Sequence, residues 1–301
     1  MIEKLNKHYV MILGILLVSL LFCIPLFINP YHINNDTLFH VSNISVIVEE
    51  IKNNFLNGIT MRIVPNIANN FGYGTRLFYP PLIHILTSYL AYGLSFFNIS
   101  VIDAMKVMHF LVLFLSGLSM YYSAYKLSNN KLLSFISSLI YISSSYHIDE
   151  IYVRDSEAEA LLFVFLPLII TSVKELLEGN KKLFYPLFII GYVGGILSHF
   201  TMMIYFTLIL GVSMLFFYKK VFKKEFLIPF IKATILVLLL TLFFFEPLFE
   251  HKLFGNYRVY QKWVMSLGVQ HTALWGFEYF WFFAKDKIYF YLSIVTITLL
   301  V

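Results

Sequence analysis

Phe78-Tyr79-Pro80-Pro81-Leu82-Ile83-His84-Ile85-Leu86-Thr87-Ser88-Tyr89-Leu90-Ala91-Tyr92-Gly93-Leu94-Ser95-Phe96-Phe97-Asn98 is the stretch on which the fold turns. It is apolar enough to cross a membrane. It also opens on Pro80-Pro81 and is diluted by Tyr89, Tyr92 and Asn98. If 78–98 crosses, the loops 126–131, 174–182 and 219–225 face outward, carrying Lys126, Lys131, Lys174, Lys181, Lys182, Lys219, Lys220, Lys223 and Lys224. Positive charge in short loops collects on the cytoplasmic side, so that reading breaks the rule three times. If 78–98 only dips into the outer leaflet, all three loops face the cytoplasm. We take 78–98 as an interfacial segment.

The rest of the chain supports a membrane setting. It is 59% hydrophobic, 19% aromatic and 13% charged, where soluble domains carry about 25% charged residues. The net charge of +5 sits on lysines in short loops, not on a patch interleaved with exposed aromatics, so nucleic-acid binding is not expected. Cys23 is the only cysteine, which excludes an intrachain disulfide or a cysteine metal site. Val10 to Ile28 follows Lys4 and Lys7, is long for a signal peptide and lacks a small-residue cleavage site, so it reads as a retained first span.

Apolar runs near the ~20 residues a span needs occur at 10–28, 103–125, 132–146, 158–176, 183–198, 201–218 and 226–246. An eighth, 288–301, is still apolar at Val301, and a further C-terminal part is expected. The stretch 183–218 has no charge and is long enough to cross twice, with a tight turn at Ser198-His199-Phe200-Thr201. The expectation is one membrane domain over 1–301: an all-α polytopic transmembrane helix bundle, N-terminus in the cytoplasm, with a helical extracytoplasmic first loop. Its outer side carries 29–102, 147–157, the His199 turn and 247–287. All four arginines (Arg62, Arg76, Arg154, Arg258) and every histidine but His8 avoid the inner loops. The spans hold almost no charge, and Lys232 lies where it can snorkel.

Three outer constellations carry the chemistry. Asn34-Asn35-Asp36-Thr37-Leu38-Phe39-His40 follows the first span, and on a helix starting at Asp36 that residue and His40 share a face. Asp36 reads as a helix cap, a site carboxylate, or both. Met61-Arg62 to Tyr79-Pro80-Pro81 includes Gly72-Tyr73-Gly74 and Arg76; arginine forks match phosphate oxygens, and lipid headgroups offer the same oxygens. Tyr146 to Glu159 holds Asp149, Glu150, Asp155, Glu157 and Glu159 with His147 and Arg154. Such a set suits a divalent cation such as Mg or Mn, or general-base work. A lone histidine at a helix end, as at His199, is usually structural. The aromatic loop 254–283 reads best as an interfacial belt.

The order of these features resembles the GT-C superfamily of integral-membrane glycosyltransferases, which includes oligosaccharyltransferase subunits and lipid-A aminoarabinose transferases. Asp36-Thr37-x-Phe39-His40, Arg62, Gly72-Tyr73, Phe78-Tyr79-Pro80-Pro81, Tyr152-x-Arg154 and Glu159 look closer still to bacterial membrane proteins named for a 6-pyruvoyl-tetrahydropterin synthase-related domain. The likeness covers about 30–250. Where oligosaccharyltransferases carry Asp-x-Asp in the second loop, this chain has Asp149-Glu150 and Asp155-x-Glu157-x-Glu159.

The resemblance implies an outward-facing site in the cell membrane, a polyprenyl-phosphate sugar donor and an envelope glycan or membrane lipid as acceptor. Asp36, His40, Asp149 and Glu159 are then the expected catalytic groups. Arg62, Arg76 and Arg154 are the expected phosphate ligands, and Tyr73, Tyr79, Tyr152 and His199 the expected cavity lining. Asp36, Asp149 and Glu150 are the expected ligands of a Mg or Mn ion. The rivals are a transporter or flippase for a lipid-linked saccharide and a non-catalytic envelope scaffold. Transporters place ionisable groups near the bilayer midplane, which these spans are not expected to do.

Overall fold

The computed structural model describes residues 2–28, 36–65 and 71–254. Among them no strand is present; a lone antiparallel bridge joins Val64 to Tyr73. The chain divides into two compact units, Met1–Phe244 and Phe245–Val301. The candidate site lies in the first.

The helices are α1 (Ile2–Ile28), α2 (Thr37–Asn53), α3 (Asn57–Thr60), α4 (Thr75–Phe78), α5 (Leu82–Ser95), α6 (Val101–Ser128) and α7 (Lys131–Ile142). They continue with α8 (Ser145–Tyr152), α9 (Glu157–Leu177), α10 (Lys181–Ser198), α11 (Phe200–Met214), α12 (Tyr218–Val221) and α13 (Lys224–Phe254). Among the described residues five segments are long and apolar enough to cross a membrane: His8–Ile28, Val101–Ser128, Glu157–Leu177, Phe200–Val221 and Lys224–Glu250. The protein is thus all-helical with multi-pass character.

Local chemistry sets the helix ends. Ser100 caps α6 by accepting from the Asp103 N–H at 3.1 Å, and Asn129 closes it with φ of 52°. Asn130 caps α7 through the N–H groups of Leu132 and Leu133, and Asn180 caps α10 through that of Leu183. Each cap supplies an acceptor for otherwise orphaned backbone donors.

Several expected boundaries change. The run 132–146 stops as a helix at Ile142, and a separate short helix, α8, starts at Ser145. The Ser143-Ser144-Ser145 stretch breaks the helix, because serine hydroxyls compete for backbone groups. α7, with 12 residues, is ~18 Å long, well short of the ~30 Å hydrocarbon layer. α10, over the expected 183–198 span, is also absent from the five long apolar segments. α13 runs through the expected start of the last outer loop as far as Phe254. The run 288–301, Arg258 and the aromatic loop from 255 onward lie outside the described residues.

The bundle has two chemically distinct ends. At one, His8 Nδ1 lies 2.7 Å from the Tyr121 hydroxyl, and the His8 ring meets Tyr125 edge-on. The charge of Glu175, near the end of α9, acts on Tyr122 of α6 at this same end, and Lys220 Nζ reaches the Leu177 carbonyl of α9. The lysine-bearing turns after α6, α9 and α11 therefore share an end with the start of α1. At the other end, Tyr152 donates its hydroxyl hydrogen to the Phe22 carbonyl, and the Asp36 N–H donates to the Arg154 carbonyl at 3.1 Å. The chain leaves α1 and enters α6 at this second end, so α2 to α5 begin and end there. α5, with 14 residues, is ~21 Å long.

Two apolar clusters hold this end. Cys23, Ile83, Val112, Leu113, Ile142, Ile151, Ala158 and Leu161 join α1, α5, α6, α7, α8 and α9. Ile44, Val48, Ala91, Ala104 and Met105 fasten α2 and α5 to α6. α9 and α10 pack closely: a Cβ on Gly191 would lie 2.6 Å from Ile169 Cγ1 and 3.3 Å from the Ile169 backbone nitrogen. Small residues let helix backbones approach in this way. Gly191→Ala is expected to destabilise the protein by about 1–3 kcal/mol, the usual result of overpacking, read from thermal unfolding in detergent.

Candidate functional site at the α8–α9 corner

The corner between α8 and α9 is built on Asp155, a non-glycine residue with φ of 58°. Asp tolerates this left-handed conformation better than most residues, and such positions concentrate at functional sites. The corner is held from below. His109 Nε2 of α6 meets Asp155 Oδ1 at 3.2 Å, and His109 Nδ1 faces the Met105 carbonyl at 2.9 Å. Glu157, 1% exposed, takes a hydrogen from the Thr87 hydroxyl of α5 at 3.3 Å.

Above this base, Glu159 is the hub. Its carboxylate accepts from Arg154 Nη1 and Nη2, each at 3.1 Å, and from the Tyr146 hydroxyl. His199 Nε2 approaches the same carboxylate at 3.4 Å. His199 Nδ1 accepts the Met202 N–H at 3.2 Å and so caps α11, which leaves the hydrogen on Nε2, facing Glu159. Burial, with the nearby Arg154 charge, lowers the His199 pKa against the pull of Glu159. Arg154 Nη1 also donates to Glu150 Oε1 at 2.7 Å. Burial opposes the Arg154 cation, but hydrogen bonds and charges from Glu159 and Glu150 raise its pKa above the usual value.

Asp36 opens α2 beside this group. Its side chain makes no capping hydrogen bond, so the carboxyl is not committed to the helix. Burial raises its pKa, with the charges of Glu159 and Asp155 in the same direction and that of Arg154 against. Tyr79 stacks on His84 with ring centroids 5.3 Å apart. Burial, and then the charges of Asp36, Glu157 and Glu159, push its phenol well above the ordinary range.

Several expected assignments move. His40 does not orient Asp36: it is fully buried, and its Nδ1 lies 2.9 Å from His84 Nε2. Burial lowers its pKa to about 4. Tyr152 ties α8 to α1 through the Phe22 carbonyl. Tyr73 lies in the bridge with Val64, and its side chain is half exposed. Arg62 is exposed on the first loop. Arg76 is buried, with Nη1 donating to the carbonyls of Gly58 and Met61. Asp149 lies on α8 and is half-buried.

The metal assignment fails on geometry. Mg and Mn need several open oxygen ligands around one point. Of the expected ligands Asp36, Asp149 and Glu150, Glu150 gives its Oε1 to Arg154, and no group of three or more His, Cys, Asp or Glu side chains among the described residues could hold a metal ion.

Sequence reading missed His84, Thr87 and His109. Each lies in an apolar run, and a histidine inside such a run was the available signal. The expectation that the spans hold almost no charge is qualified by His109, which lies buried in α6 against Asp155.

No family model, no curated protein and no solved structure matches the chain.

Glu150 gives a pH test of the corner. Its side chain is fully buried, and burial, with the Glu159 charge, lifts its pKa to about 7. A carboxyl whose folded pKa exceeds its unfolded one binds protons more tightly when folded. The folded state therefore loses stability as pH rises from about 4.5 to about 7. Thermal unfolding at pH 5 and 7.5 should show that loss in the wild type and a smaller one in Glu150→Gln. Identical pH slopes would remove Glu150 as the cause.

Proposed function

We propose that the protein is a membrane glycosyltransferase of GT-C type that uses a polyprenyl-phosphate-linked sugar. Its site would lie at the end of the bundle opposite the lysine-rich turns. Lysine-rich turns favour the cytoplasm, so this orientation places the N-terminus inside and Asp36 outside, in the cell membrane. One observation carries the reading: the backbone of Asp36, which bears the first-loop carboxylate, is held against the α8–α9 corner by the 3.1 Å bond from its N–H to the Arg154 carbonyl.

Asp36 is then the general base that takes the proton of the acceptor hydroxyl. A carboxyl with a raised pKa is a better base than an ordinary one at neutral pH. Arg154 lends positive charge to the leaving phosphate while its Nη atoms hold Glu150 and Glu159 in place. Tyr146, exposed at the corner, offers a ring face for a sugar while its hydroxyl is held by Glu159. The acceptor is an envelope glycan or membrane lipid. The test is transfer of labelled sugar from a polyprenyl phosphate in membranes carrying wild-type protein or Asp36→Ala; equal transfer by both would sink the role of Asp36.

A second reading is transport of a lipid-linked saccharide. It is favoured by the buried titratable groups His109, Asp155 and Glu157 between helices. Flipping of labelled lipid in vesicles without any transfer would select it.

A further inference from the structure

Arg76 lies in the first loop, is 5% exposed, and is only partly satisfied. Its Nη1 donates to the carbonyls of Gly58 at 2.7 Å and Met61 at 3.1 Å, which engages both hydrogens of that nitrogen. Nε and Nη2 are buried and make no hydrogen bond. Among the described residues no carboxylate lies within ion-pair distance of it. Burial lowers its pKa only to about 10, so the group is a cation at neutral pH.

The pattern of engaged and free donors is informative. In a guanidinium, Nε–H and Nη2–H run side by side along one edge, the edge that matches two oxygens of one oxyanion. Here the carbonyls take the other side and leave that edge whole. An uncompensated buried charge is strongly destabilising, so an anion on this edge would relieve a standing penalty. The neighbouring Thr75 hydroxyl is 1% exposed and likewise has no partner.

The frame around Arg76 is firm. Tyr89 of α5 donates its hydroxyl hydrogen to the Phe55 carbonyl at 2.6 Å, and a Cβ on Gly58 would lie 2.6 Å from the Tyr89 ring. This pins the α3 turn and the two carbonyls that orient the guanidinium. Ile59 and Thr60 of the same turn are exposed, so Arg76 lies just beneath the surface.

We infer that the Nε–Nη2 edge of Arg76 is a binding site for a phosphate group, from a lipid headgroup or a free phosphate, with the Thr75 hydroxyl as a further donor. The inference does not rest on the transfer reading and is tested without a transfer assay. Purified protein in a maltoside detergent, which carries no phosphate, is heated in sodium phosphate and in sodium chloride at matched ionic strength. It is then heated in the chloride buffer with phosphatidylglycerol or with diacylglycerol added.

The wild type is expected to melt higher with phosphate or phosphatidylglycerol than with the matched control. In Arg76→Met that rise disappears, and the apparent Kd for the anion increases about tenfold or more, the loss of at least one charge-assisted hydrogen bond. Arg76→Lys keeps the charge without the planar edge and should show a clearly smaller rise, which decides the matter if the methionine variant does not fold. A rise with the lipid alone assigns the site to headgroups; a rise with inorganic phosphate assigns it to soluble phosphate as well. No rise in the wild type, or a full rise in Arg76→Lys, overturns the inference.

Discussion

Transfer by the Asp36→Asn protein is expected to fall by about 10²–10⁴-fold, the usual contribution of a positioned general base. The substitution suits the site because it removes little else. The backbone N–H of residue 36 keeps the Arg154 carbonyl, and no side-chain cap of α2 is lost, since Asp36 makes none. Thermal stability should therefore stay within about 0.5 kcal/mol of wild type, so a loss of rate will not be a loss of fold. The pH profile gives an independent reading. In the wild type, transfer should rise with pH through a pKa above the ordinary carboxylate value, because burial and the charges of Glu159 and Asp155 hold the proton on. In Asp36→Asn that ascending limb should vanish. A variant with wild-type rate and an unchanged limb would exclude Asp36 as the base.

Arg154→Leu should produce the largest loss of stability of any single change at the corner. It leaves Glu150, with a side chain 0% exposed, and Glu159, at 9%, as neighbouring carboxylates without their shared cation. Removing one partner of a buried ion pair costs about 3–5 kcal/mol. Arg154 is itself 37% exposed, so water screens part of that, and about 2–3 kcal/mol is expected. Adding Glu150→Gln to Arg154→Leu should recover part of the loss above pH 7, where the Glu150 carboxyl would otherwise have to ionise beside Glu159 or hold its proton at a cost. A double-mutant cycle on thermal unfolding reads the coupling directly, and strict additivity would show that the two residues do not act together.

The all-helical, multi-pass character was legible because it depends on composition along the chain: apolar runs of spanning length, such as 158–176, need no partner to be recognised. The break at Ser143-Ser144 was less legible, since serine is tolerated inside apolar helices and elsewhere here bonds back to its own helix, as Ser116 does to the Leu113 carbonyl. In the candidate site, the acidic residues of 149–159 stood out as a cluster, yet the division among them did not. Whether a carboxylate meets Arg154 or His109 depends on the left-handed turn at Asp155 and on helices far away in sequence. His40 and His84 show the same limit. They are 44 residues apart, and only the docking of α5 against α2 brings them to 2.9 Å. Arg76 was visible as an arginine with a phosphate-matching fork, but not the two carbonyls that engage one side of it.

The His40–His84 contact has a consequence of its own. Two imidazole nitrogens 2.9 Å apart can share only one hydrogen, so the two rings cannot choose their tautomers independently. If His40 carries the hydrogen on Nδ1, its Nε2 is bare and His84 must hold its own hydrogen on Nδ1. If His84 carries it on Nε2, both of those assignments reverse. The tautomers of the two rings are thus coupled, and ¹⁵N-labelled histidine would register any exchange between the two arrangements as paired shifts.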